Sequence, residues 1–324
     1  MIVLDLVGEY KEIIPDNVEV IDLGSRRAKN SIFKLRNVFL REKPDFVLAT
    51  LPQISIVVFF ASLLILKKPK IINRISNYYS KEMEEISFFN NFFYKKSLLN
   101  SYKIITLCED MKFDLLNRLK MSENKVIVIN NPLDLNFIYN IKKHIVKPPK
   151  DYPIILSCGR LVKQKGHEYL IGAMVDVVKH YPNAILKIIG SGPEFKYLNN
   201  LIIKLNLQKN VFLLGFVENP YKYMCLSDVF CLPSLWEGFP NSLIEAMACG
   251  IPVISTNCPT GPLEILENGK NGLLINVKNK KEISDGIIKI INNKNLASLF
   301  IKNSNIRVKD FDISKISIKY VNLF

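Results

Sequence analysis

Histidine and tryptophan are scarce in this chain: 324 residues carry three of the first and one of the second. Six cysteines occur, none in a C-x-x-C pair. With so few imidazoles and no paired thiols, zinc and disulfide scaffolds are disfavoured and a reduced, cytosolic setting follows. The first residues, MIVLDLVGEY, carry acids and no basic segment, so no secretory signal is read there. Long apolar runs are missing too. The longest, Ile54–Leu66 (ISIVVFFASLLIL), has 13 residues, where a membrane-crossing helix needs about 20. It reads as a buried helix or as one lying at an interface. Acidic charge is the minority, 30 Asp and Glu against 44 Lys and Arg, for a net charge of +14. The excess is spread over both halves. It suits nucleic acid, anionic lipid or phosphorylated small molecules, but neither zinc-finger spacing nor an RNP-type aromatic run is present, so nucleic acid is not an expected partner.

Glycine is the most informative shortage. Of 14 glycines only Gly8 and Gly24 precede residue 151. The other twelve fall in the second half, several in turns that follow apolar runs: SCGRLVKQKG, IIGSGPE, LGFVENP, WEGFPN, PTGPLE. Glycine there lets the backbone approach a ligand closely, so a phosphate-bearing ligand belongs to the second half.

What is present is 48% apolar and 23% charged, a globular composition. Short β-rich runs alternate with helical patterns. In the first half strands are expected at Ile2–Leu6, Val18–Leu23, Asp45–Thr50, Lys70–Ile75, Ile104–Leu107 and Val126–Ile129. In the second they are expected at Ile154–Ser157, Ile185–Ile189, Val211–Leu214, Val229–Leu232, Val253–Ser255 and Leu273–Ile275. Helices are expected at Ser31–Lys43, Gln53–Leu66, Phe88–Asn100, Asp110–Leu119 and after Gly166. This alternation predicts parallel sheets covered on both faces. The charged, proline-rich KKHIVKPPKDYP (142–153) reads as a linker. Two doubly wound domains would face each other across a cleft, with ligands at the C-terminal ends of their strands.

The chemistry centres on SLWEGFPNSLIEAMACG (234–250). Asn241 lies near a helix start, Pro240 suits its first turn, and Gly250 closes it. The helix N-terminus offers free N–H groups to a phosphate. Glu237 precedes the helix, placed to accept sugar hydroxyls. Glu245 lies about one turn inside, placed to accept the hydroxyls of a ribose. Arg160 and Lys165, in GRLVKQKG, supply cations for a leaving diphosphate without a metal. Plainer readings stand beside these. Glu245 could be a solvated helix residue, Glu237 a helix cap, Arg160 and Lys165 surface cations. Trp236 reads as a packing residue or a sugar-stacking platform, and Glu264 as a helix cap or a donor contact. His144 and His180 read as solvated, His167 as a first-turn residue, and Cys249 and Cys258 as small core or loop residues.

Taken in order, GRLVKQKG, IIGSGPE, EGFPNSLIE and CPTGPLEIL…NGLLI, with IVINNPLD (127–134) upstream, resemble a retaining glycosyltransferase of family four. The CPTGP variant is similar to bacterial members that add galactose, N-acetylgalactosamine or a related hexose to surface or lipid-linked glycans. The resemblance implies the GT-B fold, with an acceptor-side domain over 1–145, a nucleotide-sugar-binding domain over 146–304, and a C-terminal helix in 305–324 returning toward the first domain. Position by position it implies that Arg160 and Lys165 hold the diphosphate, with Gly159 in the same loop. Glu237 would bind the donor sugar, and the backbone of Gly238, Phe239, Pro240 and Asn241 would line sugar and phosphate. Ser242 and Leu243 would offer N–H groups, Glu245 would bind the ribose, Val217 would sit against the base, and Gly190 to Gly192 would form a turn beside the nucleotide. It implies a UDP-sugar donor, no cofactor, no metal, and same-face transfer in which the leaving phosphate helps deprotonate a lipid-linked or polysaccharide acceptor.

Two departures bear on activity. The histidine that many members carry after the fourth strand of the first domain is missing from NRISNYYSKE (73–82), where Arg74 or Asn77 could do related work. The opening stretch resembles the family's second strand rather than its first, with Gly8 as its one glycine, so the first domain is expected to lack its initial strand–helix unit. An inactive nucleotide-sugar-binding subunit, or a truncated remnant, is therefore the alternative. KLRNVFLREK (34–43) and NNFFYKKSLLNSYK (90–103) mix aromatics with cations as interfacial helices do. Attachment to the inner face of the cytoplasmic membrane is expected from them, and ordinary core helices are the plainer reading.

Overall fold

A computed structural model describes residues 1–7, 14–63 and 65–324; Gly8 lies outside them. The chain divides into two units, one of residues 1–106, 111–128 and 324, the other of 107–110 and 129–323.

In the first unit β1 (Ile2–Val3) and β2 (Ile21–Asp22) pair in parallel as a two-stranded sheet. A separate parallel sheet runs β3 (Phe46–Ala49), β4 (Lys70–Arg74), β5 (Lys103–Thr106), β6 (Val126–Val128), in that spatial order. Successive residues Ile71 and Ile72, and again Ile104 and Ile105, are buried, the mark of strands covered on both faces. The helix Ile32–Glu42 turns Leu35, Val38 and Phe39 inward, at the spacing of one helical face. They share a core with Leu23, Ala49, Val57, Val58 and Ala61. The greater part of the longest apolar run lies in the helix Pro52–Ser62, begun by a proline in its first turn. Val57, Val58 and Ala61 are buried, so that helix belongs to the core and not to an interface.

In the second unit six parallel strands lie in the order β12-β11-β10-β7-β8-β9. They are β7 (Ile154–Cys158), β8 (Ile185–Ile189), β9 (Val211–Gly215), β10 (Val229–Leu232), β11 (Val253–Thr256) and β12 (Leu273–Ile275). The order reverses direction between β7 and β10, so the chain leaves these two strands in opposite directions along the sheet, and the loops that begin those crossovers flank the crevice expected at its C-terminal edge. The helix His167–His180 buries Leu170, Ile171, Ala173, Met174 and Val177 on one side of the sheet.

The stretch 129–145 differs from expectation. It forms the helix Leu135–Lys143, capped by Asp134, whose side chain accepts the Phe137 N–H at 2.9 Å. That helix packs against the helices Pro220–Leu226 and Asn241–Cys249 of the second unit. Leu133 exchanges backbone hydrogen bonds with Phe311 and Ile313. Ion pairs from Lys147 and Lys150 to Asp228, at 2.6 and 2.5 Å, fasten the proline-rich segment beyond it to the same unit. Two of the four lysines that suggested a free linker are thus engaged by one carboxylate. No helix among the described residues is long and apolar enough to cross a membrane.

Candidate active site

The loops after β7 and β10 meet at the crevice. Gly166 takes φ +62°, and a Cβ there would run into the carbonyl oxygen of Pro233, so only glycine lets the loops touch. They are joined by Leu235 N–H donating to Gln164 O (2.7 Å) and by Gln164 Nε2 donating to Trp236 O (2.9 Å). This zipper brings Lys165 and Glu237 together: Nζ donates to Oε1 at 2.6 Å. Ser234 Oγ donates to the same oxygen at 2.6 Å. Oε2 meets no donor from the described residues. The carboxylate is buried, fixed from one side, with one oxygen left for a hydroxyl.

The CPTGP loop braces Glu237 from behind. Its N–H donates to Pro259 O at 3.2 Å, and Thr260 Oγ1 donates to the Glu237 carbonyl. Gly261, at φ +82°, would place a Cβ 2.8 Å from Gly238 O and from Pro240 Cδ. Ser234 and Thr260 were not singled out from the sequence. The position of Ser234, three residues before the glutamate, was the available signal; for Thr260 only the fold supplies one.

The helix after Glu237 runs Asn241–Cys249, with Pro240 as the residue before its first turn rather than within it. Gly250 closes it at φ +78°. The Leu243 N–H is taken by Pro240 O at 3.1 Å, so Leu243 is not free to bind a phosphate. Asn241 and Ser242 keep first-turn N–H groups that meet no acceptor among the described residues. Phe239 is core: its ring meets Phe311 edge-on at 5.3 Å. The carbonyls of Gly238 and Phe239 turn to the chain, accepting from Cys108 Sγ (3.7 Å) and Asn131 Nδ2 (3.4 Å). Asn131 also donates to Asn241 Oδ1 at 2.7 Å.

Glu245 is half-buried on this helix. Burial pushes its carboxyl up to about 7, with no cation or hydrogen bond opposing the shift. Its charge in turn adds to the burial that lifts the Cys158 thiol to about 12 and the Tyr221 phenol above its usual range. Arg160 is exposed at the end of β7, and its guanidinium has no partner among the described residues.

Gly190 and Gly192 lie in a turn that packs on the loop after β7. At φ +139° and +159° their Cβ positions would collide with the carbonyls of Gly159 and Leu161. Gly159 N–H donates to Ile189 O, and Leu161 N–H to Ser191 O, both at 2.9 Å. These glycines are required because two stretches of backbone pass in contact, and they shape the loop that carries Arg160. Gly159 is the reverse: a Cβ there would meet only the Lys165 stem, at 3.4 Å. Val217 is half-buried in the loop after β9.

His167 opens its helix as expected, but it is buried. Its Nδ1 lies 3.5 Å from Ser157 Oγ, and its Nε2 has no partner among the described residues. Burial first, then the Lys165 charge, hold it down to about 4, so it is neutral. His144 and His180 are exposed; Cys249 and Cys258 are buried. Trp236 is half-buried. Glu264 accepts from Glu109 N–H (2.9 Å) and Asn130 Nδ2 (3.2 Å). The Glu264 carboxylate thus meets the first residue of an earlier helix, Glu109–Leu119, and not the helix that follows it. In the first unit Arg74 donates to Ser76 Oγ at 3.0 Å, and Asn77 Oδ1 accepts Tyr78 N–H at 2.9 Å. Among the described residues no three His, Cys, Asp or Glu side chains converge on a point.

A family model described as "Glycosyl transferases group 1" matches residues 140–307. An uncharacterized glycosyltransferase of Methanocaldococcus jannaschii is 31% identical over 92% of this chain and 86% of its own length. N-acetylgalactosamine-N,N'-diacetylbacillosaminyl-diphospho-undecaprenol 4-alpha-N-acetylgalactosaminyltransferase of Campylobacter jejuni is 35% identical over 63% of this chain and 54% of its own length. Among solved structures, Anabaena HepE in complex with UDP and glucose superposes with a TM-score of 0.83 at 20% identity, covering 99% of this chain and 90% of that one.

Proposed function

This chain belongs to the group 1 glycosyl transferases, and from that premise we propose that it moves a hexose or N-acetylhexosamine from a UDP-sugar to a lipid-linked oligosaccharide or surface polysaccharide. Its fold is of the GT-B type. The observation that carries the reading is the buried Glu237 carboxylate, held on one oxygen by Lys165 and Ser234 and open on the other, beside a helix start with unused N–H groups. A sugar hydroxyl suits the open oxygen. A diphosphate suits the helix start, the unpaired Arg160 and the ammonium of Lys165. Glu245 suits a ribose. The name of the Campylobacter relative, which acts on a diphospho-undecaprenol-linked glycan, supports the acceptor class.

In the reaction proposed, the bond from the anomeric carbon to the diphosphate oxygen breaks. The acceptor oxygen bonds to that carbon from the same face, and its proton passes to the leaving phosphate. No metal takes part; Arg160, Lys165 and the helix N–H groups offset the charge that builds on the diphosphate, and positioning supplies much of the rest. UDP release from a panel of UDP-sugars, with membrane-extracted acceptor and in chelator, tests this. Transfer should persist in chelator, and the product should keep the donor's anomeric configuration. Activity abolished by chelator and restored by Mn²⁺ overturns the metal-free step. UDP binding with no release from any donor points instead to a nucleotide-sugar-binding subunit.

A further inference from the structure

We propose that the start of the helix Phe88–Leu99 is a docking tip for an anionic lipid bilayer. Phe88, Phe89 and Phe92 leave 82, 74 and 50% of their surface exposed. Three phenyl rings within five residues, uncovered by the chain's own core, form the kind of apolar patch that marks an interaction surface. One turn further along, Lys95 and Lys96 are exposed, and the Lys96 ammonium lies 5.7 Å from the Phe92 ring.

The helix cannot turn to hide these rings. At about 100° per residue, Phe88, Phe89, Phe92, Lys95 and Lys96 fall within one sector of its circumference. The opposite sector is spent on the core. Tyr94, Ser97 and Leu98 are buried there, and the Phe93 ring meets Phe60 at 5.0 Å. The helix contains no acidic residue. Rings gathered at one end with ammonium groups a turn behind match the layering of a bilayer edge, acyl boundary below and phosphates above. A chain of net charge +14 is drawn to such a surface. A protein groove that accepted the rings would have to supply carboxylates for both lysines as well, whereas an anionic bilayer supplies its charge everywhere.

The other stretch that reads as interfacial from sequence presents less: its exposed large apolar side chains, Phe33 and Leu40, stand seven residues apart instead of clustering at one end, and the helix ends on an acid, Glu42. In Ile32–Glu42 the residues Leu35, Val38 and Phe39 are core, and Lys34 Nζ is engaged by the carbonyls of Leu23 (2.7 Å) and Gly24 (3.1 Å). The tip stands on its own geometry and does not rest on the transfer reaction.

The test is co-sedimentation of the full chain with vesicles of phosphatidylglycerol and phosphatidylcholine, against phosphatidylcholine alone. The native chain should bind the anionic vesicles about tenfold more tightly or better, as two lysines near a charged surface would give. The preference should shrink as salt rises. Phe88→Ser/Phe89→Ser/Phe92→Ser should lose binding to both vesicle types with an unchanged thermal midpoint, since the rings contribute little to the core. Lys95→Gln/Lys96→Gln should lose the anionic preference and its salt dependence. The proposal is overturned if the native chain sediments with neither vesicle, or if the triple serine variant binds like the native chain. It is equally overturned if the rings mediate a concentration-dependent dimer, abolished by the serines, without vesicle binding.

Discussion

Lys165 and Glu237, 72 positions apart in sequence, form a 2.6 Å ion pair whose side chains are only 15% and 5% exposed. Removing one partner of such a pair strands a charge away from water. Lys165→Met should lower unfolding stability by about 3 kcal/mol, and the double variant Lys165→Met/Glu237→Gln should recover a large part of that. Urea denaturation of the four members of the cycle measures it. Additive single losses would show that the pair contributes nothing beyond its parts. Transfer should be nearly abolished in all three variants.

Arg160 gives the opposite combination. It is exposed and unpaired, so Arg160→Ala should leave stability within about 0.5 kcal/mol. If it binds the diphosphate, the loss of one charge-assisted contact should weaken UDP binding by about tenfold or more. Titration calorimetry with UDP reads this directly, and unchanged affinity would remove Arg160 from the donor site.

Glu245 carries a pH dependence of definite sign. Its carboxyl is lifted by burial from an ordinary value near 4.5 to about 7, so between those values the folded chain holds a proton that the unfolded chain has lost. Stability therefore falls as pH rises through this window, by at most about 3 kcal/mol at roughly 1.4 kcal/mol for each pH unit. His167, held down from 6.5 to about 4, contributes the reverse slope as pH rises from 4 to 6.5. The two partly cancel, and the difference between native chain and Glu245→Gln isolates the first. That variant should be the more stable of the two at pH 8 and close to the native chain at pH 4.5. If the ionised carboxylate binds the ribose, UDP affinity of the native chain should rise through pH 7 while that of Glu245→Gln stays flat.

Two kinds of glycine can be told apart by alanine. Gly190→Ala and Gly192→Ala would drive a methyl into backbone carbonyls that have no room to move, and each should cost about 2 kcal/mol or more. Gly159→Ala meets only a flexible lysine stem and should cost under about 1 kcal/mol. Thermal unfolding of the three variants checks the order, and a well-tolerated Gly190→Ala would show that the loop contact is dispensable.

Much of the fold was legible because its signals are local. Ile185–Ile189, Val229–Leu232 and Leu273–Ile275 are strands at the residues their apolar runs marked. The helices Ile32–Glu42 and Phe88–Leu99 lie within a residue of where their periodicity put them. Each is set by the alternation of side chains along one short segment, and an apolar strand or an amphipathic helix needs no distant information to be recognised. The same holds for Gly250, which ends its helix because the chain there must turn left-handed.

What only the tertiary structure decided were the pairings between segments far apart in sequence. No local pattern states that Ser234 and Lys165 share one oxygen of Glu237, or that Thr260 holds the same residue from behind. The glycines of IIGSGPE read as a turn from sequence, and only the fold shows that this turn passes in backbone contact over the loop that carries Arg160. The helix Leu135–Lys143 read as part of the first domain because it precedes a proline-rich segment, yet its apolar face is covered by helices more than 70 residues later. Two stretches of mixed aromatics and cations looked alike in sequence. Periodicity reports that a helix has an apolar face, but only packing reveals whether the fold covers it, as it does for Val38 and Phe39 and does not for Phe88 and Phe89.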